Sequence, residues 1–111
     1  MAFDDQLSER IRKQLRKRRD VTEKTMFGGL AFLVNGNMCC GVHGLELIVR
    51  LPADEAERAL SQPYTRIFDL SGRPMKGWIL VQAKGLADDR MLAQWVDVGV
   101  RYAASLPEKK K

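Results

Sequence analysis

Leu30-Ala31-Phe32-Leu33-Val34-Asn35-Gly36-Asn37-Met38-Cys39-Cys40-Gly41-Val42 reads as two strands joined by a two-residue turn. Leu30, Phe32 and Val34 face one way, and Ala31 and Leu33 face the other, as a pleated strand requires. Asn35-Gly36 is the strongest hairpin signal in the chain, because both residues tolerate positive φ. Upstream, Val21 to Phe27 is β-branched and alternating, and Gly28-Gly29 can make a tight turn. Downstream, His43-Gly44 marks another turn. Leu45, Leu47, Val49 and Leu51 then alternate with Glu46, Ile48 and Arg50. The block predicts four consecutive antiparallel strands.

Helical periodicity flanks this block. Phe3, Leu7, Ile11 and Leu15 recur every four residues and predict a first helix from Asp4 or Asp5 to Arg18. Acidic residues at its start and Arg16 to Arg19 at its end suit the helix dipole. Pro52 suits the opening of a short helix over Ala53 to Ser61, with Ala56, Ala59 and Leu60 inward. A strand is expected at Thr65 to Leu70, a loop at Ser71-Gly72-Arg73-Pro74, and a last strand at Gly77 to Ala83. Asp88 is placed to cap a final helix whose stripe would be Met91, Leu92, Trp95, Val98, Tyr102 and Leu106. The order α-β-β-β-β-α-β-β-α gives an α+β, two-layer sandwich. Its antiparallel sheet of about six strands carries the helices on one face.

With 111 residues the chain is expected to form one domain over 1–106, followed by a basic tail, 107–111. No stretch is long and apolar enough to span a bilayer, and Asp4 and Asp5 argue against a signal peptide, so the expected location is the cytoplasm. The formal charge of +5 sits at the ends. Residues 1–20 contribute +3 (seven basic, four acidic), 107–111 contribute +2, and 21–106 sum to zero. The body of the domain is therefore neutral, which weakens an argument from pI to nucleic acid. Cys39 and Cys40 are the only cysteines. As strand neighbours they are expected on opposite faces, with no ordinary intrachain disulfide, in a reducing compartment.

Little in the chain points to covalent chemistry. Two cysteines and one histidine fall short of a structural zinc set. His43, the lone histidine, sits at a turn, and no Gly-x-Ser-x-Gly elbow occurs. Gly28-Gly29 has the wrong spacing for a phosphate loop. No catalytic residue, cofactor or metal is expected. Two groups remain as candidate binding residues. Arg73-Pro74-Met75-Lys76-Gly77-Trp78 sets two cations around a rigid proline, and Lys24 and Arg50 would join Arg73, Lys76 and Trp78 if their strands were adjacent. Arg12, Lys13, Arg16, Lys17 and Arg19 form a basic helix end able to contact phosphates. Trp78 in the core with solvated cations, and a solvated basic face, are the commoner outcomes for such residues.

Met26-Phe27-Gly28-Gly29, Asn35-Gly36-Asn37-Met38 and Gly72-Arg73-Pro74-Met75-Lys76-Gly77 together make the chain closely resemble the TfoX N-terminal domain family. The resemblance runs from the first helix to Leu106. It implies a fold similar to that of secretion chaperones. It also implies kinship with regulators of DNA-uptake competence, in which this domain precedes a helical C-terminal domain not seen here. The family offers no established catalytic residues to carry over. The expected function is thus a non-enzymatic interaction domain that binds protein, with a homodimer among the assemblies it allows. The alternatives are nucleic-acid binding through the basic helix end and lysine tail, or a small anionic ligand at the Arg73–Lys76 loop.

Overall fold

Asp4 starts the first helix as its side chain accepts a hydrogen bond from the Leu7 N–H at 2.9 Å, satisfying one of the unpaired donors there. The computed structural model describes residues 4–26, 29–70 and 73–107, and side chains within this set except those of 26, 69–70 and 73–76. Phe3, Phe27 at the end of the expected first strand, the Gly28 half of the expected Gly28-Gly29 turn, the Ser71-Gly72 part of the expected loop and the tail from Glu108 lie outside the described residues.

Helix α1 (Asp5–Leu15) buries Leu7, Ile11 and Leu15, the expected stripe. It stops three residues short of Arg18. The Arg18 guanidinium turns to Asp20 instead, at 2.8 and 3.0 Å, outside the helix. Then come β1 (Val21–Met26), β2 (Gly29–Val34), β3 (Asn37–His43) and β4 (Glu46–Arg50), the antiparallel meander read from the sequence. Asn35 and Gly36 both take positive φ, 52° and 82°, which matches the right-handed strand twist. Gly44 at φ 61° makes the next turn. Leu45, expected in the strand, belongs to this turn and is 62 % exposed.

Helix α2 (Ala53–Ala59) buries Ala56 and Ala59. Strands β5 (Thr65–Leu70) and β6 (Arg73–Val81) form an antiparallel pair, and β6 begins at Arg73 rather than Gly77. The sequence suggested a loop at Arg73-Pro74 because proline and the residue before it both resist helix. The strand tolerates it beside an irregular register: Asp69 faces Pro74 while Ile67 faces Ile79. Gly77, at φ 84°, lies within the extra residues. A 3-10 turn over Ala83–Leu86 replaces the end of the expected last strand. Helix α3 (Asp89–Ser105) is capped by Asp88, whose carboxylate accepts from the Arg90 N–H at 2.8 Å. Asn37 ties the far end of α3 to the sheet by donating to the Pro107 carbonyl at 2.9 Å.

The sheet order is β1-β2-β3-β4-β6-β5, antiparallel at every pair. The main core joins Ile11 and Leu15 of α1, Ala56 and Ala59 of α2, and Leu92 and Val96 of α3 to one face, through Phe32, Val42, Val49 and Ile79. The expected α+β sandwich is therefore the observed one. The opposite face is apolar too. Ala31, Met38, Ile48, Phe68 and Leu80 form a second, smaller cluster there, flanked by Leu33 and Trp78. A bidentate Arg66–Glu46 pair, at 2.6 and 3.1 Å, spans from β5 to β4 beyond it.

The inward stripe of α3 differs from the expected one. Leu92, Val96, Gly99, Val100 and Ala103 are buried, while Met91 is 39 % exposed. The cause is close approach at Gly99. A Cβ there would lie 2.3 Å from the Cys39 carbonyl oxygen. A glycine facing the sheet lets the helix backbone come down onto β3, and the small residues turn inward.

Candidate functional site

β2 and β3 pair Phe32 with Cys40 but Leu33 with Met38, so Cys39 is the extra residue of a β-bulge. In a regular strand neighbours point to opposite faces. The bulge rotates Cys39 so that both cysteines enter the main core, fully buried. This corrects the expectation of opposite faces. The two sulfurs are 3.7 Å apart, and the Cys39 thiol lies 3.3 Å from the Phe32 carbonyl oxygen, to which it donates. A hydrogen bond from Cys40 holds the Cys39 thiol below its ordinary pKa despite burial. The Cys39 sulfur and burial push Cys40 well above it. Adjacent cysteines were visible in the sequence, but no local signal announces a bulge.

Of the loop-centred candidates, the structure joins Arg50 and Trp78. They are directly paired across β4 and β6. The Arg50 guanidinium sits 5.4 Å from the Trp78 ring centre and 5.6 Å from that of Tyr102 on α3. Both rings offer the cation their negative faces. Trp78 also meets Phe68 at 6.4 Å, tilted by 52°. Tyr102, expected as a core stripe residue, instead completes this clamp. Lys24 does not join it. It lies on β1, three strands from β4, a separation of roughly 14 Å at the usual strand spacing. The side chains of Arg73 and Lys76 lie outside the described residues. Beside Tyr102 a shallow groove of about 270 Å³ runs between α2 and α3, lined by Pro52, Glu55, Val98, Arg101 and Ser105.

The basic helix end is partly spent. Arg12 makes a two-pronged bond to Glu23 of β1, both contacts 2.8 Å, and also binds Glu9. Lys13, Arg16, Lys17 and Arg19 are exposed and, among the described residues, have no ion pair. Because α1 ends at Leu15, Arg19 is off the helix and does not share a face with Arg12 and Arg16.

The Arg12–Glu23 pair gives a pH signature. The Arg12 hydrogen bond lowers the Glu23 pKa, outweighing partial burial. A depressed carboxylate pKa contributes stability that is complete above the unfolded value of about 4.3 and is lost as pH falls through the folded value. Exposure limits the effect, so Glu23→Gln is expected to cost under about 1 kcal/mol at pH 7. In urea titrations the difference from the parent should start to shrink below the unfolded value and vanish once pH is under the folded one. A difference constant from pH 7 to 3 would refute the assignment.

The chain belongs to the TfoX N-terminal domain family, whose model matches residues 13–103. That match spans both sheet halves, the cysteine bulge and most of α3. Comparison with curated proteins returns no match. Among the described residues no helix is long and apolar enough to cross a membrane.

Proposed function

We propose that the chain is a regulatory interaction domain that acts by contact rather than covalent catalysis, and that its partner is a second copy of itself joined along β5. The family's link to competence regulators supports a regulatory role. One observation carries the mode of contact: β5 is a sheet edge whose middle residue, Ile67, is 41 % exposed. Tyr64, immediately before the strand, is 43 % exposed. The Gln82 N–H donates to the Tyr64 carbonyl at 2.7 Å, so backbone groups at 64 and 66 turn toward β6. Those of Thr65 and Ile67 then alternate outward, ready to accept another strand.

Symmetry distinguishes the two edges. Copies related by a two-fold axis normal to the sheet place a strand's central residue opposite itself. On β1 that residue is Glu23 or Lys24, so like charges meet. On β5 it can be Ile67, which adds apolar contact and two backbone hydrogen bonds. β1 thus carries the charges that natural edges use against pairing, and β5 lacks them at its centre.

The other readings have less support. The nucleic-acid reading loses Arg12 to Glu9 and Glu23, and the helix that was to align its cations ends at Leu15. For an anion, Arg50 is enclosed by two rings. Light scattering after gel filtration tests the proposal. The parent is expected to run as a dimer, and Ile67→Lys as a monomer with an unchanged circular dichroism spectrum. A parent that stays monomeric at its highest soluble concentration, or a lysine variant that stays dimeric, would overturn it.

A further inference from the structure

We propose that Cys39 and Cys40 are a reversible redox modification site, closing to a disulfide between adjacent residues by exchange with a low-molecular-weight disulfide. This is independent of the β5 contact.

Geometry carries the inference. The bulge turns both side chains to one face, and their sulfurs are 3.7 Å apart, so a bond of about 2.0 Å requires them to close by about 1.7 Å. Cys39 has no register partner on β2 or on β4, so its backbone can adjust without breaking a paired position. Adjacent Cα atoms are about 3.8 Å apart, nearer than in most disulfides, which makes the ring tight and readily reduced. Such a bond suits a switch better than a permanent staple.

The surroundings assign an order of attack and a route. Cys39 is the thiol favoured as thiolate, through the Cys40 hydrogen bond, with a smaller contribution from the Arg18 charge. Arg18 also lines a groove of about 320 Å³ between α1 and α3, with Gln14, Leu15, Ala93, Val96 and Asp97. Both thiols are fully buried, so exchange proceeds through local opening of the packing above β3, at the rate of that opening.

The Cys39 thiolate attacks one sulfur of the small disulfide, forming a mixed disulfide and expelling one thiolate. The Cys40 sulfur gives up its proton, attacks the Cys39 sulfur and expels the second. Two electrons pass from the pair to the reagent, and the two thiol protons end on the two released small thiols. The change is felt by α3, because Gly99 rests on the Cys39 carbonyl.

The full chain is equilibrated in glutathione buffers of rising disulfide fraction, quenched in acid, alkylated and weighed intact. The expected product is a monomer lighter by two hydrogens that takes up no alkylating reagent and is restored by dithiothreitol. Cys40→Ser, or Cys40→Ala if the serine variant fails to fold, should stop at a mixed disulfide on Cys39. Retention of both alkylatable thiols in the most oxidising buffer would overturn the proposal. So would a parent product that is only a mixed or intermolecular disulfide.

Discussion

Gly99→Leu is expected to unfold most of the protein at room temperature, and Gly99→Ala to lower its stability by about 2 kcal/mol. The added Cβ would sit 2.3 Å from the Cys39 carbonyl oxygen and 3.2 Å from its carbonyl carbon. Ordinary contact begins near 3.4 Å, so α3 must lift by about 1 Å or β3 must give way. Cys39 itself is unpaired and gives a little, but Met38 and Cys40 on either side of it are held by register partners, so the strand cannot yield the whole distance. The helix therefore rises, and Leu92, Val96, Val100 and Ala103 lose packing together. Overpacking of this kind costs about 1–3 kcal/mol for a small group, and alanine regains up to about 1 kcal/mol through helix propensity. For leucine the penalty is larger and the helix gain no greater. Thermal unfolding should show the alanine variant melting roughly 10 °C lower. A rise in melting temperature, the usual result for glycine on a solvent-facing helix surface, would refute the close approach.

The same glycine marks the limit of what could be read from the sequence. Large apolar residues on α3, Met91, Trp95 and Tyr102, set the expected stripe. The real stripe runs through Gly99 and Ala103, because small residues are where backbones can meet. Size and burial are opposed there, and periodicity of bulk selects a rotated face. The meander was legible since its signals are local: Asn35-Gly36 can both take positive φ, and Leu30, Phe32 and Val34 alternate across the pleat. Helix starts were legible too, because Asp4 and Asp88 bond their own first turns. Sheet order was not legible. Whether Arg50 meets Lys24 or Trp78 depends on β6 entering between β4 and β5, which no residue near Arg50 encodes. The bulge at Cys39 is likewise a two-strand property, visible only once Phe32 and Leu33 are matched to their partners. The exposed edge at Ile67 needed the same strand order, for an alternating strand reads alike at the edge and at the centre.

Phe32→Ala is expected to be the most costly truncation in the chain, about 4 kcal/mol, with a fall in melting temperature of roughly 20 °C. Phe32 heads the largest fully buried side chains and lies in a strand paired on both sides, opposite Glu23 and Cys40. Leu30 and Val34 flank it on the same face, and the helices close the layer above. A cavity bounded by a sheet below cannot collapse as one beneath a lone helix can, so little of the lost contact is regained. Phe32→Leu keeps most of the volume and should cost much less, under about 1.5 kcal/mol. Ile67→Ala supplies the contrast. That side chain is 41 % exposed, so its truncation should change urea stability by well under about 1 kcal/mol in the dissociated chain. Equal losses from Phe32→Ala and Ile67→Ala in that state would mean that Ile67 belongs to the core of one copy. It would then be unavailable to a second copy, and the edge contact would lose its anchor.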